Sequence, residues 1–215
     1  MLRAACAILA LTTAVPAAAQ LYWSPPNYAG DPIRPGEVGI GVALPGATAT
    51  EQRANLAWQM RAALNVAALQ CQNDPTLLVH DSYNGILVNH REELGRAYSA
   101  LQGYFRRTNK APKAAQDALD RFGTKTYAGV STVLGIRGFC QTASRLGQQA
   151  LFVPRGGFTE FAIERLREMR NSLAPGAEQQ FRGQHGWYSD RPVFPQFDNR
   201  CWRRNQYDPR CGFNA

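Results

Sequence analysis

The residues best suited to acid–base chemistry lie close together in one segment with helical periodicity. His80, Asp81 and Tyr83 begin this segment, and His90 lies near its middle. A histidine titrates near neutral pH, and a neighbouring carboxylate such as that of Asp81 can orient its ring. These four residues are therefore the candidate catalytic set, and the chemistry that they suit is hydrolysis by a small enzyme.

The spacing of the two histidines also supports a structural interpretation of the same segment. At about 100° per residue, His80 and His90 project about 80° apart around a helix, so they do not easily share one metal ion. The four-residue spacing of the H-E-x-x-H metal motif is missing. In this alternative, Tyr83 and Asn84 form hydrogen bonds between helices, while residues 90–93 face solvent.

Other signatures of catalysis or cofactor binding are weak. The chain has no G-x-S-x-G motif, and Gly36, Gly39 and Gly41 do not match the spacing of a phosphate-binding loop. The cysteines have no C-x-x-C spacing, so neither a metal centre nor a cofactor is expected. The small and hydroxylated residues of segment 123–132 permit the close approach of either another helix or a ligand.

Aromatic residues and arginines are interleaved near the C-terminus, after the helical periodicity ends. Aromatic rings stack on sugars, and arginines attract anions. In an exported protein this pattern favours an anionic cell-surface polymer or another envelope protein as the partner, rather than nucleic acid. The alternative is that these rings cover the helical core. The candidate binding residues are Trp187, Tyr188, Arg200, Trp202, Arg203, Arg204 and Tyr207.

The first nineteen residues have the pattern of a bacterial export signal. Arg3 precedes an apolar run, Pro16 interrupts it, and the alanines at 17–19 are the small residues that a signal peptidase accepts. The apolar run is shorter than the roughly 20 residues of a membrane-spanning helix, and no later segment is apolar enough to span. We therefore expect a signal peptide over 1–19 and a periplasmic or secreted bacterial protein.

Removal of this segment would leave four cysteines in an oxidising compartment. Two disulfides are expected there, and four cysteines allow three connectivities. The favoured pairs are Cys71 with Cys140, which both lie in the helical part of the chain, and Cys201 with Cys211, which both lie in the tail.

The first two helices are predicted from capping and periodicity. Thr48 and Glu51 have the spacing of a capping box, which predicts a helix that ends near residue 72. Asp74 and Pro75 then predict a break, followed by a second long helix over 75–107.

The remaining elements are predicted from breaks in the same pattern. A third helix is expected over 112–122, where Gly123 ends it, and helical periodicity resumes over 124–151. A last helix is expected to begin at a Thr159 cap and to end before Pro175. Upstream of the helices, the proline- and glycine-rich residues 20–47 predict an extended arm, with a short strand at 37–44.

Composition limits the class of protein. The 215 residues are 45% hydrophobic and carry 24 Lys and Arg against 16 Asp and Glu, which gives a formal net charge of +8. These values exclude a disordered polymer and a membrane bundle. The predicted fold is all-α: a disulfide-stapled helical bundle of about four to five helices at 48–175, between the arm and an irregular aromatic and Arg-rich tail at 176–215.

The expected function follows from these features together. It is that of an exported, non-catalytic envelope protein that binds another envelope component, either a protein or an anionic polymer. The alternative is a small periplasmic hydrolase that uses the His/Asp/Tyr cluster of the second helix. A helical bundle that encloses a small ligand or metal is a third interpretation.

Overall fold

The computed structural model describes residues 26–174, 194–195, 199–203, 206–211 and 213–214. In these ranges the fold is helical, with six α-helices and short 3₁₀ segments at Pro75–Leu77, Asn199–Cys201 and Pro209–Cys211. The helices are α1 (Ala49–Gln70), α2 (Val79–Asn89), α3 (Arg91–Thr108), α4 (Pro112–Ala128), α5 (Ile136–Leu151) and α6 (Phe158–Asn171). The all-α prediction is confirmed, and the described helices are one more than the upper end of the expected count.

Helix α1 is the centre of the assembly. It begins with the predicted capping box, in which the Thr48 N–H donates to Glu51 Oε2 at 2.7 Å and the Glu51 N–H donates to Thr48 Oγ1 at 3.3 Å. Its buried residues lie on every face, and the other five helices pack around it. A helix that is buried on all sides belongs in the core, and the many alanines of α1 let its neighbours approach closely.

The prediction of one continuous helix over 75–107 is wrong. Pro75 opens only a short 3₁₀ turn, α2 begins after Leu78, and the chain bends again at His90, whose φ is −110° and ψ is 19°. Local periodicity runs through both breaks and cannot detect them. The bend at His90 is accompanied by a long-range contact, because the His90 side chain is buried against α5.

Three predicted boundaries also need correction. Helix α4 continues through Gly123 to Ala128, since one glycine costs a helix only about 1 kcal/mol. The periodicity after residue 124 therefore belongs partly to α4, and α5 begins only at Ile136. Helix α6 begins at Phe158 with Gly157 as its N-cap, so Thr159 lies inside the helix.

The arm, described here over residues 26–47, is packed on the helices without forming a helix or strand of its own. The predicted strand at 37–44 is absent from this part of the chain, because Gly39 and Gly41 have φ values of 86° and 71°, which interrupt extended pairing. Ile33 is buried, and its N–H donates to Ile163 O on α6 at 2.8 Å. The Tyr104 hydroxyl on α3 donates to Pro45 O at 2.9 Å. The arm thus connects α6 to α3 across the surface of α1.

Both predicted cysteine pairs lie at disulfide distance. Cys71, at the end of α1, is joined to Cys140 on α5, with a Cα–Cα distance of 5.6 Å. Cys201 is joined to Cys211 with a Cα–Cα distance of 5.7 Å. Around this second pair, Trp202–Arg203 pairs with Gln206–Tyr207, and Phe194–Pro195 pairs with Phe213–Asn214, as antiparallel strands of two residues each.

Within the described ranges, none of the helices is both long and apolar enough to cross a membrane. The predicted signal peptide at 1–19 lies outside those ranges.

Candidate functional site

The four candidate acid–base residues do not converge on one site. His80 and Asp81 lie in the first turn of α2, where their side chains are 65% and 78% exposed and His80 Nδ1 is 3.3 Å from Asp81 Oδ1. Tyr83 is buried, and burial, partly opposed by the Arg61 charge, raises the pKa of its hydroxyl. His90 lies beyond the other end of α2, about 15 Å further along the helix axis.

The alternative in which residues 90–93 face solvent is wrong for two of the four. Arg91 and Glu92 are exposed, but His90 is 1% exposed and Glu93 is 8% exposed. The ring of His90 lies against Phe158, with 5.1 Å between the ring centroids. The segment from His90 to Glu93 is therefore an interhelical junction as well as a surface.

The hydrogen bond of His90 determines which ring nitrogen carries the proton in the neutral form. Nε2 lies 3.1 Å from Ala150 O, and a carbonyl oxygen can only accept, so Nε2 must be the protonated nitrogen. Nδ1 is buried and has no hydrogen-bond partner in the described part of the chain. Its nearest charged neighbour is Glu93, whose Oε2 is 3.8 Å away.

The carboxylate of Glu93 caps helix α6 from a distant part of the chain. Its oxygens accept the N–H groups of Phe158 at 3.0 Å and Thr159 at 2.8 Å, and the Thr159 hydroxyl at 2.6 Å. The first N–H groups of a helix have no partner within the helix, and they favour a negative charge. Glu93 supplies that charge, which explains why α6 needs no side-chain cap from its own preceding residues.

The balance of forces on Glu93 favours its ionised form. Burial by itself raises the pKa of this carboxyl, but the hydrogen bonds from Thr159 and Phe158 and the nearby His90 outweigh burial. The net result is a pKa below the ordinary value of 4.5. At neutral pH Glu93 is therefore a fixed structural anion, committed to the start of α6.

A surface cavity of about 440 Å³ lies over this junction, and we call it the junction groove. It is bounded by the end of α2, the first turns of α3 and the loop between α5 and α6. Its lining residues are Val88, Asn89, His90, Arg91, Glu92, Glu93, Arg96, Arg155 and Gly156.

The junction groove has more positive charge than its own carboxylates neutralise. Glu93 is occupied at the start of α6, and Glu92 is 3.9 Å from Arg96 with both side chains exposed, so this ion pair is weak. Arg91 and Arg155 have neither an ion pair nor a side-chain hydrogen bond within the described residues. The groove can therefore bind an anion through arginines from two different elements.

Exposed apolar side chains occur on the same two segments: Val88 lines the groove, and Phe152 lies three positions before Arg155 in the chain. Phe152 is 88% exposed and Val88 is 63% exposed. The Asn89 side chain donates to Leu151 O at 3.4 Å, which holds the end of α2 next to the chain that leads to Phe152. Neither Phe152 nor Arg155 is among the site residues predicted from the sequence. The sequence pattern that could have indicated them is a phenylalanine followed three residues later by an arginine, in a loop with proline and glycines.

The predicted binding residues of the tail are described only in part. Arg200 is exposed, Trp202 is 36% exposed, and the backbones of Trp202 and Arg203 pair with those of Tyr207 and Gln206. Trp187, Tyr188 and Arg204 lie outside the described residues, as do the side chains of Arg203 and Tyr207.

The small-residue segment 123–132 lies at the end of α4 and in the loop after it. The Thr132 hydroxyl donates to Leu173 O at 3.0 Å, and the Ser131 hydroxyl donates to Tyr127 O at 3.1 Å. These contacts favour the packing interpretation of the segment, while its use as a ligand groove stays a prediction.

In the described ranges, no three His, Cys, Asp or Glu side chains are grouped so that they could hold a metal ion. No protein-family model matches the chain, and neither a curated protein nor a solved structure matches it.

Proposed function

We propose that this chain is an exported, non-catalytic protein of the bacterial cell envelope that binds another envelope component. The observation that carries this proposal is the separation of the acid–base candidates. His80 is exposed at one end of α2, whereas His90 is buried at the other end and its neighbour Glu93 caps α6. A hydrolase needs its acid, base and substrate within hydrogen-bond reach of one another, and this arrangement favours binding over catalysis.

The proposed domain organisation has four parts. A signal peptide at 1–19 is followed by the arm at 20–47, the disulfide-stapled helical domain at 48–175 and the tail at 176–215. The two cysteine pairs support export to the periplasm or the medium, because disulfides persist in oxidising compartments.

The partner is an envelope protein or an anionic polymer, and the charge of the chain favours the anionic choice. The formal net charge is +8, and a positive excess attracts anionic surfaces at long range. Two regions could make the contact: the arginines of the junction groove, and the tail residues Trp187, Tyr188, Arg200, Trp202, Arg203, Arg204 and Tyr207.

Affinity capture from cross-linked bacterial envelope tests the proposal. The baits are the whole chain, a version that ends before Gly186, and the double variant Arg91→Ala, Arg155→Ala. We expect the whole chain to capture a defined envelope component and at least one of the altered baits to lose it. Loss with the shortened bait assigns the contact to the tail, and loss with the arginine variant assigns it to the junction groove.

Capture of nothing by any bait would contradict the binding proposal and favour the hydrolase alternative. One observation supports that alternative: His80 and Asp81 lie together on the rim of a cavity of about 350 Å³, which Asp74 and Leu78 also line. An exposed His–Asp pair can act as a general base on water. Hydrolysis of an envelope substrate that disappears in His80→Ala would then replace the binding proposal.

A further inference from the structure

The junction groove points to one particular envelope component. We propose that it binds the phosphate groups of anionic lipids at a membrane surface, with Phe152 entering the boundary between headgroups and acyl chains. This inference rests on the proposed function, because it names the component that an exported envelope-binding protein would contact.

The cationic part of the proposal rests on three arginines that surround one cavity. Arg91 and Arg96 come from α3, and Arg155 comes from the loop between α5 and α6. The planar guanidinium of arginine matches the geometry of a phosphate and binds it through two parallel hydrogen bonds. Because Arg91 and Arg155 have no side-chain partner within the described residues, binding a phosphate would break no existing ion pair of theirs.

The buried edge of the groove supports an anion at the same place. Helix α3 begins at the groove, and its first turn has no side-chain cap, so its positive end is available. The two oxygens of Glu93 are already bound to Phe158 and Thr159, so this carboxylate does not form an ion pair with the arginines of the groove.

The apolar part of the proposal distinguishes a membrane from a small soluble anion. Phe152 and Val88 are large apolar side chains that are mostly exposed at the end of the molecule that carries the arginines. A free phosphate would use the arginines and leave Phe152 in water. Basic side chains beside a protruding aromatic ring are typical of proteins that bind the interface of an anionic bilayer.

A second cationic cavity of the same protein provides the control. It has a volume of about 500 Å³ and lies at the other end of α3, about 25 Å along the helix axis. Arg106 and Lys110 line it, but its large apolar side chains, Phe105 and Leu119, are buried rather than protruding. Removal of these two charges changes the net charge of the protein as much as removal of two arginines from the junction groove.

Vesicle co-sedimentation tests the proposal on protein purified from cells that express the whole chain. The vesicles are phosphatidylcholine alone and equimolar phosphatidylcholine with phosphatidylglycerol. We expect binding only to the second, and binding that weakens as salt is added. Arg91→Ala with Arg155→Ala should weaken binding about thirty-fold, because each arginine near an anionic leaflet contributes about 1 kcal/mol.

Two further variants make the result specific. Phe152→Ser should weaken binding several-fold without any change in charge, whereas Arg106→Ala with Lys110→Ala should bind like the unaltered protein. All these positions are exposed, and an unchanged melting temperature would confirm that each variant is folded.

Several results would overturn the lipid proposal. If both double variants lose the same amount of vesicle binding, net charge alone attracts the protein to the membrane. If Phe152→Ser binds vesicles as well as the unaltered protein does, the groove needs only an anion and no insertion into the bilayer. If the protein binds neither kind of vesicle but still captures a protein from the envelope, the lipid inference fails while the binding function stands. If it neither binds vesicles nor captures any component, both proposals fail.

Discussion

At the scale of single residues, Glu93 shows how one side chain can serve two parts of the fold. It lies in the first turn of α3, yet it accepts the first N–H groups of α6, 65 and 66 positions later in the chain. Its charge is needed at the start of α6, and the hydrogen bonds made there keep its oxygens from pairing with the arginines of the junction groove. From its residue type alone, Glu93 would be expected to face solvent.

Replacing Glu93 with glutamine should therefore destabilise the protein at neutral pH. We expect the free energy of unfolding to fall by about 1–3 kcal/mol, the usual cost of weakening buried, charge-assisted hydrogen bonds. Urea denaturation measures this loss. Glu92→Gln is the matched control, because it removes the same charge one position earlier from a side chain that is 91% exposed.

The pH dependence of this effect has a definite sign. The pKa of Glu93 is lower in the folded protein than its ordinary value of 4.5, so its contribution to stability is complete above about pH 4.5. It is lost as the pH falls through the folded pKa. The difference between the unaltered protein and Glu93→Gln should therefore shrink in acid, and a difference that stays constant down to pH 2, roughly the end of an acid titration, would contradict the assignment.

At the scale of elements, the arrangement depends on contacts that join helices far apart in the chain. The bond between Cys71 and Cys140 joins the end of α1 to α5 across 69 positions. The Ser144 hydroxyl donates to Leu77 O at 2.6 Å, which holds the turn before α2 against the same helix α5. These contacts position α2, and with it the junction groove, relative to α5.

Loss of the two cysteine pairs should have unequal effects. Each cross-link restricts the unfolded chain, and the restriction grows with the length of the loop that it closes. Cys71→Ser with Cys140→Ser should cost about 3–5 kcal/mol, and Cys201→Ser with Cys211→Ser should cost less, since its loop spans only 10 positions. Intact mass should rise by four hydrogens on reduction, and free thiols in the native protein would refute the pairing.

At the scale of the whole molecule, the arm is part of the folded structure. Ile33 belongs to the main hydrophobic core, and the Arg167 guanidinium on α6 donates to Glu37 Oε1 at 2.7 Å. The Asn55 side chain on α1 donates to Val42 O at 3.0 Å. A segment that is irregular by composition is thus positioned by side chains of the helices.

Removal of one buried arm side chain should destabilise the whole domain. Ile33→Ala should lower the free energy of unfolding by about 2–4 kcal/mol, because it leaves a cavity between the arm and α6. Val38→Ala is the control, since Val38 is 91% exposed in the same arm. Thermal unfolding of both variants measures the difference, and equal melting temperatures would show that the arm contributes little to the core.

The sequence by itself determined the features that depend on neighbouring residues. The capping box at Thr48 and the apolar faces of the helices act within a few residues, so capping and periodicity rules detect them. Only the tertiary structure decided where the chain bends and which polar groups are buried. His90 bends the chain while it bonds to Ala150, and Glu93 is ionised beneath the surface because α6 begins there. Partners about sixty positions apart leave no local pattern, and the junction groove exists only where those distant segments meet.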